Sequence, residues 1–130
     1  MKNGPGRLPD SELDIMLVLW SHQPPMSRLE IERVVNEKKA LAPTTILSLL
    51  GRLEKKGFVA VTKERNMNLY TPLVSQEEYQ SNESRNILEK LYGNSLKRFV
   101  TALYHGKKMD QKEIQELNEF LKNMEEEQGE

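Results

Sequence analysis

The hydrophobic period of this chain changes at Gly57, and no other feature constrains the fold as strongly. Before Gly57, apolar residues recur at helical spacing in three segments. After it, Phe58–Thr62 alternate as a strand, and Leu69–Leu73 form a partner strand beyond the polar turn Lys63–Asn68. Because Pro72 cannot donate a ladder hydrogen bond, we expect this second strand at a sheet edge. Three helices and a hairpin predict a winged helix-turn-helix, a mainly α fold with a small β-hairpin.

Local signals set the bounds of the three helices before the hairpin. Asp10 or Ser11 is expected to cap the first helix, and Ser27 with Glu30 forms a capping box for the second. The third is predicted over residues 44–56. The apolar residues expected to face the core are Leu13, Met16, Leu17 and Trp20 in the first helix, where Ile15, Val18 and Leu19 widen the stripe, Leu29, Ile31, Val34 and Val35 in the second, and Ile46, Leu49, Leu50 and Leu53 in the third.

Beyond Ser75 the chain returns to a helical period. Ser75 with Glu78 opens a helix that Gly93 ends, a second helix stops near Gly106, and Asp110 opens the last one. One monomer's thin C-terminal segment cannot bury all of their apolar stripes, so we predict a homodimer; the alternative is that the stripes fold back on the winged helix. The predicted dimerisation residues are Leu88, Leu91, Tyr92, Leu96, Phe99, Val100, Leu103, Ile114, Leu117 and Leu121.

Formal charge divides the chain in the same way. Residues 1–75 hold 11 Lys+Arg and 8 Asp+Glu, a net of +3, whereas residues 76–130 hold 8 and 12, a net of −4. Segment 38–65 alone carries a net of +5, which suggests a polyanion-binding surface, although surface charges also cluster by chance. We therefore predict a winged helix-turn-helix DNA-binding domain over 8–75, a helical dimerisation domain over 76–124, and flexible tails at 1–7 and 125–130.

The third helix has an outer face of the kind that reads DNA. Opposite its apolar stripe lie small, hydroxylated and basic residues, which allow close approach and can bond phosphates or base edges. The alternatives are a simple cap for Thr44–Thr45 and an ordinary turn residue for Arg65. The predicted contacts from this face are Thr44, Leu47, Ser48, Arg52 and Lys55, joined by Lys63, Arg65 and Asn66 of the wing.

Several classes of function are excluded by composition. The chain has no cysteine, and therefore no disulfide, thiolate nucleophile or cysteine-based zinc site. With only His22 and His105, a histidine metal site is not expected, and His105 is better placed to stabilise a helix C-terminus than to act as a base. No catalytic triad or glycine-rich phosphate loop is present, so we expect no enzyme, no cofactor and no metal.

No apolar stretch approaches the roughly 20 residues that cross a bilayer. The N-terminus, MKNGPGR, also lacks the apolar segment of a secretory signal. We expect a cytoplasmic protein with no membrane partner.

Four segments resemble the penicillinase/methicillin-resistance repressor family, over roughly residues 8–122: LPDSELDIM (8–16), LW (19–20), APTTILSLLGRLEKKGFV (42–59) and YTPLVS (70–75). This resemblance implies a homodimeric transcriptional repressor whose winged helix binds half of a palindromic operator and whose C-terminal helices intertwine with the partner's. Carried over by position, the DNA contacts fall on Thr44, Thr45, Ser48 and Arg52, with a wing at Lys63–Asn68.

Three departures from the family pattern bear on specificity and regulation. Some family members have a long basic side chain early in the recognition helix, and the corresponding residue here is Leu47. A leucine can touch a thymine methyl group but cannot form a hydrogen bond with guanine. A sensor or protease antirepressor is a possible partner, yet the Asn-Phe cleavage pair of antibiotic-responsive members is Ala102–Leu103 here, so cleavage there is unsupported. The cysteine cluster of the copper-responsive branch is absent.

The leading hypothesis is therefore a dimeric repressor that binds operator DNA. The alternative is a winged-helix module that docks a partner protein without sequence-specific DNA binding. Such modules present apolar anchors, and Leu47 is the only one on this face.

Overall fold

A computed structural model describes residues 6–107 and 109–128. They form two compact units that meet between Ser84 and Arg85, beyond the predicted domain boundary at residues 75 and 76. The elements in chain order are α1 (Asp10–Trp20), β1 (Met26–Ser27), α2 (Arg28–Asn36), α3 (Pro43–Lys55), β2 (Val59–Glu64), β3 (Met67–Pro72), α4 (Gln76–Tyr92), α5 (Leu96–His105) and α6 (Gln111–Gln128).

The buried hydrophobic residues all lie in the first unit. They come from α1, α2, α3, the three strands, the first turn of α4 and the connecting segments that contain Leu8, Phe58 and Val74, and they form one cluster. Burial of this apolar surface is the main stabilising term for the unit. The cluster consists of Leu8, Ile15, Met16, Leu19, Met26, Ile31, Val35, Ile46, Leu49, Leu50, Leu53, Phe58, Val59, Tyr70, Val74 and Tyr79.

The core prediction holds in full for α3 and in part for α1 and α2. Leu17 is 41% exposed and Leu29 is 60% exposed, so placing them in the core was wrong. In α1 the buried side runs through Ile15 and Met16 and includes the carboxylate of Glu12, which turns Leu17 outward. Helical spacing alone did not show which of several adjacent apolar residues would point inward.

The caps of the first two helices differ from each other. Ser27 and Glu30 form the predicted capping box, in which each side chain accepts the other residue's backbone N–H. The predicted side-chain cap of α1 is wrong, because α1 already includes Asp10 and its N-cap is Pro9. The Pro9 carbonyl accepts the N–H of Leu13 at 2.9 Å.

The sheet has one strand more than the predicted hairpin, and its order is β1-β3-β2, all antiparallel. The strand that contains Pro72 is therefore central, and its predicted edge position was wrong. Proline is tolerated there because β1 pairs only with Leu69 and Tyr70, so Pro72 lies beyond the reach of β1. A two-residue strand has no detectable sequence period, which is why β1 was missed.

The first turns of α4 belong to the winged-helix unit. The buried Tyr79 hydroxyl accepts the N–H of Leu8 at 2.9 Å, and the Tyr79 ring lies 5.7 Å from that of Trp20 and 5.9 Å from that of Phe58. Trp20 Nε1 also donates to the Val74 carbonyl at 2.9 Å. These contacts explain why the unit extends to Ser84.

Within the predicted N-terminal tail, Arg7 forms an ion pair with Glu83 at 3.3 Å. Residues 1–5 of that tail lie outside the described residues.

The second unit contains the end of α4, all of α5 and all of α6. Gly93, at φ +55°, ends α4 as predicted, and the Ser95 hydroxyl caps α5. Asp110 opens α6 as predicted, and it forms a capping box with Glu113. No residue of α5 or α6 is buried. Residues 125–128 continue α6 instead of forming the predicted tail, because glutamate and glutamine favour helix; residues 129–130 lie outside the described part.

Within the part of the chain that the structure describes, no helix is both long and apolar enough to cross a bilayer. The same residues contain no group of three or more His, Asp or Glu side chains arranged to hold a metal ion.

Candidate nucleic-acid interface

Helix α3 has one face in the core and one face in solvent. Ile46, Leu50 and Leu53 are fully buried. The opposite side is open, and the structure confirms the exposure, though not the DNA contact, of every residue predicted on it. These exposed residues are Thr44, Leu47, Ser48, Arg52 and Lys55, and Thr45, which the family resemblance added, is exposed as well.

The N-terminal end of α3 carries no capping side chain. Its N-cap is Ala42 and Pro43 occupies the first turn, so the alternative interpretation of Thr44–Thr45 as a helix cap is wrong. The first turn also lacks an acidic residue. The helix dipole and the unbonded backbone N–H groups at this end therefore favour an approaching phosphate.

The C-terminal end of α3 is joined to the wing by a fixed turn. Gly57 adopts φ +84°, where a side chain would be strained, and its N–H donates to the Glu54 carbonyl at 3.1 Å. The N–H of Phe58 donates to the Leu53 carbonyl at 2.9 Å. This pair of bonds is a Schellman motif, and the buried side chains of Leu53 and Phe58 accompany it. Strand β2 begins directly afterwards.

The wing is a tight hairpin. Glu64 pairs with Met67, and the two residues between them, Arg65 at φ +52° and Asn66 at φ +64°, make the turn. Positive φ at both positions is the type I′ geometry that matches strand twist. The turn is thus shorter than the predicted Lys63–Asn68, whose ends lie in the strands. Lys63, Arg65 and Asn66 are exposed, and Arg65 lies at the tip, which is compatible with both a DNA contact and an ordinary turn residue.

The basic segment 38–65 keeps most of its charge available to a ligand. Among the ion pairs of residues 6–107 and 109–128, only the one between Lys56 and Glu12 involves this segment. Arg52 and Lys55 are exposed on α3, next to the small polar face. Such an arrangement can neutralise phosphates from one side while Ser and Thr approach base edges.

Sequence reasoning missed the part that Glu12 plays beside this surface. Its side chain is buried and accepts from Lys56 at 2.5 Å, across 44 residues of sequence. A charged residue in the first turn of a helix is normally solvated, so its type and position gave no signal. The role of Glu12 is visible only from its contact with Lys56 in the folded structure.

The predicted dimerisation residues are apolar surface in the described structure. Leu96 is 57% exposed and Leu91 is 70% exposed, whereas Phe99 is half-buried, with its ring 5.3 Å from that of Tyr92. Leu88, Val100, Leu103, Ile114 and Leu117 are half-buried, and Leu121 is exposed.

The structure also shows where the residues considered for proteolytic cleavage and for histidine chemistry lie. Ala102 and Leu103 lie within α5, and His105 is its last residue, as predicted. The Nδ1 atom of His22 lies 2.8 Å from the Val18 carbonyl in the last turn of α1, a local contact that needs no ligand.

The chain matches a protein family over most of its length. The profile of the family described as Penicillinase repressor matches residues 8–123. The penicillinase repressor of Bacillus licheniformis is 29% identical over 115 residues, which cover 88% of this chain and 89% of that protein. The methicillin resistance regulatory protein MecI of Staphylococcus aureus (strain N315) is 27% identical over 121 residues, which cover 93% and 98%.

Two solved structures resemble the winged-helix unit. The solution structure of the DNA binding domain of the repressor BlaI matches with a TM-score of 0.52 and 33% identity, over 61% of this chain and 94% of that one. The Bacillus licheniformis BlaI monomeric form in complex with the blaP half-operator matches with a TM-score of 0.51, 32% identity and the same coverage. The predicted winged-helix fold is therefore confirmed.

Proposed function

This chain belongs to the penicillinase repressor family, and from that premise we propose that it is a DNA-binding transcriptional repressor and not an enzyme. The observation that carries the proposal is the division of α3 into a buried apolar face and an exposed face that is mostly small polar and basic residues. The likeness of this unit to BlaI bound to a half-operator supports it.

On this proposal α3 lies in the major groove and the β2–β3 hairpin follows the adjacent backbone. Ser48 and Arg52 read base edges, and Thr44 and Thr45 bond to phosphates or bases at the entry of the helix. Leu47, 45% exposed, can contact a thymine methyl. Lys55, Lys63, Arg65 and Asn66 contact the backbone and set affinity and salt dependence more than sequence preference.

We propose further that the repressor acts as a homodimer on a palindromic operator. The apolar stripes of α5 and α6 support this, because no residue of either helix is buried in the chain by itself. A second copy would cover them and would place two winged helices on two half-sites. The proposal includes no cleavage at Ala102–Leu103, which does not match the family's cleavage pair.

The function is tested by titrating the full chain against DNA from upstream of its own gene, by gel shift or fluorescence anisotropy at several salt concentrations. We expect a specific, salt-sensitive complex that outcompetes unrelated DNA of the same length. Absence of such a complex would refute the repressor and favour a module that docks a partner protein.

Single variants then separate the two kinds of contact. Lys55→Ala and Arg65→Ala should weaken binding to all sequences and reduce the salt slope by about one unit each. Ser48→Ala and Arg52→Ala should change base preference at one position per half-site. Lys122→Ala, on the exposed side of α6, is the charge-matched control and should change neither. If both classes of variant behaved alike, the assignment of reading helix and wing would be wrong.

A further inference from the structure

A buried carboxylate lies beside the joint between α3 and the wing. Glu12 is only 2% exposed, and its Oε1 atom accepts from Lys56 Nζ at 2.5 Å. Lys56 is the C-cap residue of α3. A buried carboxylate is costly unless it is paired, so Glu12 holds the Lys56 ammonium against α1.

The ion pair acts on the same residues as the Schellman motif. Lys56 precedes Gly57, whose positive φ turns the chain from α3 into β2, and Phe58, whose N–H closes the motif. A displacement of Lys56 would therefore move the last turn of α3 and the first residue of the wing together. No other ion pair among the described residues connects α1 with this joint.

We propose that Glu12 is a positioning residue which, through Lys56, fixes the orientation of the wing relative to the reading face of α3. The inference rests on the proposed DNA-binding function and deepens it. It also distinguishes two adjacent exposed lysines: on the proposed function Lys55 contacts phosphate, whereas Lys56, with 41% of its side chain exposed, is held by Glu12 and contributes geometry. Sequence alone treats the two as equivalent parts of one basic segment.

A gain in stability does not by itself explain this ion pair. Desolvation of the buried Glu12 carboxylate offsets its attraction to Lys56, whose side chain is 41% exposed. A pair that joins one helix to a turn instead selects one arrangement of that turn. Removal of the ion pair should therefore change the geometry of the turn, and with it the specificity for a DNA sequence.

The DNA test uses the full chain with the near-isosteric variants Glu12→Gln and Lys56→Met, their double variant, and Lys55→Met as the neighbouring control. Each is assayed, at a temperature where circular dichroism shows it folded, against the upstream DNA and unrelated DNA of the same length. We expect Glu12→Gln and Lys56→Met each to lower affinity for the specific DNA at least tenfold, with non-specific affinity and salt slope unchanged. Lys55→Met should lower both affinities and reduce the salt slope by about one unit.

The double variant separates a shared role from two independent ones. If Glu12 acts through Lys56, the double variant should lose no more specific affinity than the weaker-binding single variant. Additive losses would overturn the proposal. It would also be overturned if Lys56→Met lost one unit of salt slope, which would make Lys56 a phosphate contact, or if Glu12→Gln were less thermostable but unchanged in specificity.

A second measurement needs no DNA and keeps the inference separate from the proposed function. Hydrogen exchange should show the amides of Gly57 and Phe58 exchanging at least tenfold faster in Glu12→Gln than in the wild type. The amide of Tyr79, bonded to the Ser75 carbonyl, is the internal control and should not change. If the wild type bound no specific DNA, the proposed function would be refuted, but the exchange measurement would still show whether Glu12 holds the joint. Unchanged exchange at Gly57 and Phe58 would overturn the inference.

Discussion

The two units of this chain bury their apolar residues to very different extents. In the first unit Ile15, Met16 and Leu50 are fully removed from solvent, whereas in the second unit Leu91 and Leu96 are more than half exposed. Both units contain helices with side-chain caps, such as α2 in the first and α5 and α6 in the second, so the difference lies in packing and not in helix formation. A unit with its own core can fold alone, and a unit without one depends on a partner surface.

A cavity in the core should give the largest effect, and only in the first unit. Leu50→Ala removes a fully buried side chain of α3 and should lower the free energy of unfolding by about 3 kcal/mol. Trp20, the single tryptophan, reports this unit, so its fluorescence during urea unfolding provides the measurement.

Leu96→Ala is the matched control in the second unit, where the leucine is 57% exposed. It should leave the Trp20 transition within about 0.5 kcal/mol of the wild type. Equal destabilisation by the two variants would mean that the units share one cooperative core.

A charge on the apolar stripe of α5 should break the proposed dimer and leave the first unit intact. Phe99→Glu would place a carboxylate in the interface and should raise the dimer dissociation constant by on the order of 100-fold. Sedimentation at micromolar concentration measures this, and the Trp20 transition should not change. Thr101→Glu, exposed on the opposite side of α5, should leave the assembly unaltered. A wild-type chain that stayed monomeric would rule out the dimer.

The Tyr79 hydroxyl tests how far the first unit extends into α4. Tyr79→Phe keeps the ring but leaves the buried N–H of Leu8 without its partner, which should cost about 1–2 kcal/mol in the Trp20 transition. Tyr92→Phe makes the same change in the second unit and keeps the ring contact with Phe99. It should have no effect on that transition, and a loss as large as that of Tyr79→Phe would contradict the boundary at Ser84.

The sequence patterns anticipated the parts of the fold that depend on local chemistry. The capping box at Ser27, the end of α4 at Gly93 and the buried stripe of α3 all follow from residue type and spacing. The order of the sheet did not, because β1 is only two residues long and its pairing with Leu69 and Tyr70 is a tertiary contact.

The candidate site also has one feature that follows from local chemistry and one that depends on a tertiary contact. The exposed face of α3 could be predicted from its period, because an apolar stripe defines the side that is opposite to it. The contact of Glu12 with Lys56 could not, because it joins residues 44 positions apart and places a charge where solvation is expected. Local rules thus defined the exposed face of α3 and missed the ion pair that we propose to orient the wing beside it.

The smallest predicted effect is pH-dependent and again belongs to the first unit. The backbone N–H of Ser27 lowers the pKa of Glu30 below its ordinary value of 4.5. The charged carboxylate therefore contributes stability that is fully present above pH 4.5 and is lost as the pH falls through the lowered folded-state pKa. Glu30→Gln retains a capping side chain without the charge.

We expect Glu30→Gln to lower the urea midpoint of the Trp20 transition at pH 7 and to converge with the wild type as the pH falls below 4.5. Glu113→Gln, the corresponding change in the Asp110 capping box of α6, should leave this transition unchanged at both pH values, because it removes a carboxylate from the unit that Trp20 does not report. A difference between Glu30→Gln and the wild type that did not diminish as the pH falls below 4.5 would show that the amide caps α2 less well for steric reasons, and not through the charge.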